Sequence, residues 1–571
     1  MKKKNIFSLI CGAACLLGVA TSCDVDPEFY TQVVPDTFYS SQDAVWQRYS
    51  RPFTHWRYWI AGGDARFALQ ELGTDEFSVP TRGSDWFDGA NYQRFHHHEY
   101  TFDMTRIADG FRLPTMGVAL AWDALEDLDE VDFAAVGFAD PEGTRSNMKA
   151  QMTALVGSFY LDGLDLFGGM PLYESTKEDV KGRSTAKETY DFTERLLKEA
   201  LPKLPKKSVV GGGETGAINQ GAVAMLLARL YFNAKIYVGE DHFSDAAKIC
   251  EDLINGVYGA YELDATYQDT FGFENDKSKE ILWSVPSENA KLQTNGNNWT
   301  WATHYRYSQY LGGLESSGGN NGVSLIPGLD PKGNRYDYKL GGIYQRFNDK
   351  DLRKKNYWYD SNGVYEGIFA VGPLVNPKDP ENWVARGTRE YRDQIITIVD
   401  QVARFSELGS EKYPTVDDLV SNIGTAEENS CVRLYKLTPR PDSSDPKKMY
   451  DPDVPFLRLT EAYYTLAECK WRAGDKQGAC DLINKVRARY FEGPDPDPVT
   501  VANLDEYRFL NEWSMEFVGE SRRRTDLIRW DKYVTEDWWD HKATNNRNLE
   551  KFPLHTSVLA SNPLLEQNPG Y

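Results

Sequence analysis

Cysteine is scarce, with seven in 571 residues, and no two stand in C-x-x-C spacing. That excludes a zinc ribbon. No GxxxxGKS/T, GxSxG or HExxH segment occurs, so a phosphate-cradling loop, a nucleophile elbow and a zincin helix are all missing. Basic charge is short as well: 64 Lys and Arg face 85 Asp and Glu, a net −21 at neutral pH. Phosphate binding needs a basic face, so nucleic acid is excluded as a partner. No low-complexity tract interrupts the chain. Hydrophobic residues at 41% beside 26% charged ones rule out the disordered and fibrous classes. At this length one compact core is not enough, and several layers or two domains are expected.

Long apolar runs are also lacking, with one exception. Ile6–Ala20 is fifteen residues long and follows Lys2, Lys3 and Lys4. A membrane span needs ~20 residues, so this is the charged start and short apolar middle of an export signal. The small residues Ala20, Thr21 and Ser22 then meet Cys23. The arrangement resembles a bacterial lipobox, whose cysteine thiol takes a diacylglycerol and becomes the new N-terminus. Two or more acyl chains anchor stably where one does not. Residues 1–22 are therefore read as signal and 23–571 as the mature chain, tethered by lipid at Cys23. A plain cleaved signal is the competing reading. Losing residues 1–22 removes three lysines and no acid, which makes the mature chain still more acidic and suits a neutral ligand. Of the cysteines that remain, Cys250, Cys431, Cys469 and Cys480 allow three pairings. Cys250 lies on the apolar stripe Ala246, Ala247, Leu253, Ile254, which favours an inert buried thiol.

Helical periodicity is plain along much of the chain. Residues 146–168 carry Met148, Met152, Leu155, Val156, Phe159 and Leu164 at helical spacing. Thr185 and Glu188 form a capping box ahead of Phe192, Leu196, Leu197 and Ala200. Residues 219–237 are apolar on most sides and predict a central helix, and a further helix runs from Ser244 to about Asn255, with Gly256 placed to end it. Residues 457–473 and 475–490 read as a helix pair about Gly474 and Asp475, with Ala467 and Ala479 twelve residues apart across the turn. That is the small-residue contact of a tetratricopeptide unit, and 222–254 has the same look. No strict 34-residue repeat is present, so the array is divergent. A last helix is expected at 504–519, capped by Asn503. Between about 260 and 450, Gly, Asn and Pro become dense; loops and short strands inserted in the helical scaffold follow, and such loops carry recognition.

Several motifs need weighing. Gly211, Gly213 and Gly216 match GxGxxG, but LPKLPKK precedes them where a dinucleotide site needs a strand. A flexible connector between helices is the better reading. The run His96-His97-His98 would put His96 and His98 on one face of a strand, but no third ligand is spaced nearby. Hydrogen-bonded neutral imidazoles are expected, with no metal and no cofactor. Trp299, Trp301, Tyr305 and Tyr307 all occupy odd positions, one aromatic face if the segment is extended. A second aromatic stretch, 82–92, mixes Trp86, Phe87 and Tyr92 with Asp85, Asp88 and Asn91. Flat rings beside Asn and Asp suit a sugar, whose apolar face they cover while the polar groups take its hydroxyls. A core-facing strand and a tight turn explain the same residues equally well.

Taken together, several segments resemble the SusD/RagB family of Bacteroidetes surface lipoproteins. They are RLTEAYYTLAECKWRAGDKQGACDLINKVRARY, NEWSMEFVGESRRRTDLIRWDKY and the terminal NPLLEQNPGY, with ELGTDEFSVPTRGSDWFDG, LFGGMPL, ENDKSKEILWSV and FNDKDLR. They span nearly the whole mature chain, and Ser521 in GESRRR is one departure. The resemblance implies a mainly α fold, a right-handed scaffold of tetratricopeptide-like helix pairs at about 36–258 and 455–530. Into it is set a loop-rich, short-strand ligand-binding region at about 260–450. It also implies oligosaccharide binding at the cell surface without catalysis, beside a SusC-like TonB-dependent outer-membrane transporter. The ligand contacts it implies fall on Asp75, Trp86, Asn91, Trp299, Trp301, Tyr305 and Tyr307. Asp24, Asp26 and Glu28 after Cys23 look like the acidic signal that sends such lipoproteins to the outer face of the outer membrane. A peptide- or protein-binding repeat scaffold and a glycoside hydrolase are the competing functions. Arg522, Arg523, Arg524 and Arg529 beside Glu520 and Asp526 are read as a structural ion network, since the net charge disfavours a nucleic-acid patch.

Replacing the thiol tests the anchor. Cys23→Ala is expected to move the protein from the membrane fraction to the soluble fractions. Retention at the outer membrane, with label from a palmitate analogue, contradicts the assignment.

Overall fold

The computed structural model describes residues 39–571 except 63, 214, 288–300, 311–318, 360–364 and 438–451. Cys23 and Trp299 lie outside the described residues. The order of elements begins with α1 (Gln42–Arg57), opened by the Ser41 hydroxyl accepting from Ala44 N, and α2 (Asp64–Glu71). A short α3 (Asn91–His96) leads to the long α4 (Thr105–Glu130) and α5 (Pro141–Phe167). In α5 Pro141 sits at the first turn, Asp140 caps it, and every residue from Ala154 to Phe167 is buried. A helix covered on all sides is central.

The capping box predicted at Thr185 and Glu188 is formed and opens α6 (Ala186–Ala200). The GxGxxG segment after it is a connector: Gly211 and Gly213 have φ of 70° and 71°, in turns. The apolar helix expected at 219–237 is α7 (Gln220–Phe232), broken at Asn233 and resumed for one turn at 234–238. Then come α8 (Phe243–Ile254), α9 (Leu459–Arg472), α10 (Lys476–Arg487), α11 (Glu506–Phe517) and α12 (Arg523–Arg529). Asp505, not Asn503, caps α11: its carboxylate accepts from Arg508 N, while Asn503 Oδ1 accepts from Thr500 N. Gly474, at φ 90°, makes the turn between α9 and α10, and Ala467 and Ala479 are fully buried.

Helix packs on helix in succession: α4 on α5, α5 on α6, α7 on α8, α8 on α9 and α9 on α10. The chain is a mainly helical scaffold of tetratricopeptide-like pairs. Between α8 and α9 the described residues form turns, single helical turns and short strands, and every sheet among them has two strands. The longest of these sheets pairs Ile281–Val285 antiparallel with Val454–Arg458. It is tied to α1 by Trp56 and Trp283, whose rings stack in parallel with centroids 4.0 Å apart. Cys250, Cys431, Cys469 and Cys480 are free and buried.

The arginines of α12 and their neighbours do form an ion network, and it is buried. Arg523 reaches Asp75 at 2.7 and 2.9 Å, Arg524 meets Asp165 at 3.1 Å, and Arg529 clasps Glu468 at 2.9 Å and Asp526 at 2.7 Å. A second knot joins Arg458, Arg489 and Arg353 to Glu516 at 2.7, 3.2 and 3.1 Å. Burial would raise the Glu516 pKa, but Arg458, Arg489, Arg353 and Lys436 outweigh it and hold it at about 2. This corrects the reading of Asp75 as a ligand contact. Its side chain is 0% exposed, and its oxygens are taken by Arg523 and by Gly341 N at 2.8 Å. A carboxylate this far from solvent holds the fold together.

Removing one partner of this pair strands the other. Asp75→Ala or Arg523→Met is expected to cost about 3–5 kcal/mol of stability in a denaturant titration. Burial raises the Asp75 pKa and Arg523 lowers it, with a net shift downward. Its contribution is therefore full at neutral pH and fades as the pH falls through the carboxylate range.

Candidate functional site

The aromatic stretch 82–92 is held from below by Arg82. This buried guanidinium donates to the Glu427 and Ser430 carbonyls, both at 2.8 Å, and to Ser324 Oγ at 3.1 Å. Backbone bonds in both directions between Arg82 and Asp85 close a tight turn at Gly83, φ 60°. Four of the next five residues then take positive φ: Trp86, Asp88, Gly89 and Ala90 have φ of 67°, 42°, 63° and 65°, with Phe87 at −70° between them. Three of these are not glycine, and each such residue costs on the order of 1–3 kcal/mol that the surrounding structure must offset.

That conformation projects the rings. Trp86 Nε1 donates to the Asn320 carbonyl at 2.8 Å, and the indole meets Tyr92 and Trp301 edge to face, centroids 5.8 and 5.9 Å away. A Cβ on Gly322 would stand 2.5 Å from the Trp86 ring, so glycine is needed there for the ring to lie against the backbone. Arg106 caps the group, 5.4 and 4.9 Å from the Tyr92 and Trp301 centroids, and donates to Tyr92 Oη at 2.7 Å. Trp86 and Trp301 are half-buried, and Phe87 is 53% exposed.

Beside the rings lies a polar edge. Tyr305 Oη donates to Asp85 Oδ2 at 2.5 Å, and Arg389 pairs with the same carboxylate while lying over the Tyr305 ring. Burial and the bond to Asp85 push the Tyr305 pKa up to about 12. Behind this edge, His304 Nε2 and Glu428 Oε1 are 3.0 Å apart and wholly buried. Glu428 also accepts from Thr388 N and Arg389 N, at 2.7 and 3.0 Å. Against the burial that would raise it, these bonds hold the Glu428 pKa at about 2. Residues 301–305 and 388–389 thus share one anchor.

The predicted site residues divide. Trp86, Trp301 and Tyr305 come together, and Asn91 is half-exposed at their margin, its amide donating to the Asp88 carbonyl at 2.6 Å. Tyr307, 1% exposed, faces the core, and so does Asp75. The aromatic segment is not extended: residues 301–302 are helical, and Tyr307 begins a helical turn, Tyr307–Tyr310. Alternation therefore fails, and the side chains at 305 and 307 part company. Arg106, Asn320 and Arg389 are contributions that the reading of single segments missed, whereas Asp85 is named there as a polar neighbour of the rings. Only Asp85 had a local signal, because it sits among the rings of 82–92.

A family model described as the SusD family matches residues 262–571. The starch-binding protein SusD of Bacteroides thetaiotaomicron is 26% identical over 450 residues, covering 76% of this chain and 74% of that protein. Among solved structures, surface glycan-binding protein A from Bacteroides uniformis superposes with a TM-score of 0.63 at 18% identity. The match covers 92% of this chain and 99% of that one. The corresponding protein from Bacteroides thetaiotaomicron, solved in complex with laminarihexaose, gives a TM-score of 0.62 at 16% identity, covering 92% and 99%. At such identities the structural likeness speaks to the fold.

Proposed function

The chain belongs to the SusD family, and from that membership we propose that it is a surface lipoprotein that binds an oligosaccharide and passes it to a TonB-dependent outer-membrane transporter. The observation that carries the ligand class is the strained turn that presents Trp86 and Phe87 beside Trp301, Tyr305, Asp85 and Arg389. Rings cover the apolar face of a sugar, and the carboxylate, guanidinium and amide groups at the edge meet its hydroxyls. The relative from Bacteroides thetaiotaomicron is a starch-binding protein, which agrees with that class.

The protein binds without cleaving. Asp85 is engaged by Tyr305 and Arg389, and Glu428 is buried under Thr388 and His304. Neither carboxyl stands free to protonate a glycosidic oxygen, as a glycosidase acid must. Lipid at Cys23 supplies the membrane attachment, and no helix among the described residues is long and apolar enough to cross a membrane. The transporter rests on the family resemblance; pull-down of the tagged protein in mild detergent, with the barrel expressed, checks it.

A glycan array beside a peptide panel tests the ligand class, and release of reducing ends tests for turnover. Covering roughly 50 Å² of sugar per ring contributes ~1.3 kcal/mol at about 25 cal/mol per Å². Trp86→Ala and Phe87→Ala are each expected to weaken glycan binding roughly tenfold, and Phe87→Ala to leave melting unchanged. Binding that survives Trp86→Ala, Phe87→Ala and Tyr305→Ala together sinks the platform. Peptide capture without glycan capture favours the scaffold reading.

A further inference from the structure

The histidine run is not a strand. His96 ends α3, His97 follows as its cap, and His98 turns away at φ 54°. The pair that matters is therefore His96 with His97, and the structure brings a third donor from the far end of the chain. Trp538–His541 forms a tight turn in which Asp540 adopts φ 51°. Its carboxylate faces His97 Nε2 at 3.4 Å. One donor atom each from His96, His97 and Asp540 lie within 4.8 Å of one another.

The hydrogen bonds set the tautomer of the buried member. His96 Nε2 is 2.9 Å from the Trp539 carbonyl, which can only accept, so that nitrogen carries the proton. Nδ1 is left with its lone pair, in a side chain that is 0% exposed, and has no hydrogen-bond partner. An orphaned buried acceptor costs about 1–3 kcal/mol, and it belongs to a residue with two further donor groups in reach. A ring nitrogen whose partner N–H is fixed by a backbone carbonyl is also the usual state of a metal-bound histidine. His97 and Asp540 are only partly covered, so the buried imidazole has an approach from solvent.

We propose that His96 Nδ1, His97 and the Asp540 carboxylate form a binding site for a divalent transition-metal ion of the zinc class, with water as the fourth ligand. Two imidazoles and one carboxylate suit zinc, cobalt or nickel rather than calcium or magnesium. Zinc–nitrogen bonds of about 2.0–2.1 Å need the donors drawn to within about 3.4 Å of each other. The part-exposed His97 supplies that movement, because Asp540 Oδ2 is held by Ile423 N at 2.7 Å. The ion fastens the Trp538–His541 turn to the end of α3. Asn91 and Tyr92, at the opposite end of the same helix, border the ring platform.

The test uses the whole mature chain carrying Cys23→Ala, stripped with a chelator and titrated with zinc by calorimetry. One zinc per chain, a higher melting temperature with zinc, and a tetrahedral cobalt absorption band are expected. His97→Ala and Asp540→Asn should each weaken zinc binding by at least about tenfold. His242→Ala, which removes the surface histidine between Glu240 and Asp245, should leave it unchanged. Absence of stoichiometric zinc, or uptake that survives both His97→Ala and Asp540→Asn, overturns the site. His97 is partly exposed, and Asn at 540 keeps an oxygen to accept from Ile423 N, so these variants retain the fold, and unchanged melting without metal verifies that.

Discussion

Charge buried in pairs is the constraint on which this molecule is built. Asp75, Asp165, Glu461, Glu468 and Glu516 all lie out of water, as do Arg458, Arg523, Arg524 and Arg529. An isolated ion there would cost several kcal/mol, so each must find its counterpart in one geometry. Oily surfaces tolerate sliding; guanidinium forks on carboxylates do not. The segment 516–529 supplies most of the forks, and its partners come from α2's exit, α5 and α9, while Glu280, just before the strand Ile281–Val285, pairs with Arg458 and Arg489. The helical pairs and the loop-rich region are thereby held in one register, and the ring platform inherits its rigidity from that frame.

The helices were legible because their signals are local. A capping box, an apolar stripe or a glycine after a last turn acts within a few residues, and Thr185, Glu188 and Gly474 behaved as read. The ion network was also legible from arginine density at 522–529. What local reading lacked was the partner. Asp75 stands in a polar, aromatic-flanked stretch that looks like a ligand loop, yet the residue that decides its role is 448 positions away. The same holds for Asp540, whose neighbours in sequence give no hint of His96 and His97. Alternation misled at Trp301–Tyr307 because odd spacing is also met by a turn followed by a helical start, and the backbone there curls to pair residues 301–304 with 319–323.

The ring platform illustrates how strain and support are divided. Trp86, Asp88 and Ala90 occupy a backbone region that their side chains disfavour. Arg82 beneath, Arg106 above and the Asn320 carbonyl at the indole nitrogen offset that cost. A surface so braced has little ordering entropy left to lose when a ligand arrives, which suits the oligosaccharide proposed for it.

The distance in sequence between Asp75 and Arg523 also bears on how the chain matures. Until residues 516–529 have been synthesised, Asp75 and Asp165 lack the arginines they face and cannot be buried without penalty. The N-terminal helices therefore form early but cannot close into their final core. This delays compaction to the last stage of synthesis. For the export route proposed from residues 1–22, late locking keeps the chain translocation-competent while it is still growing.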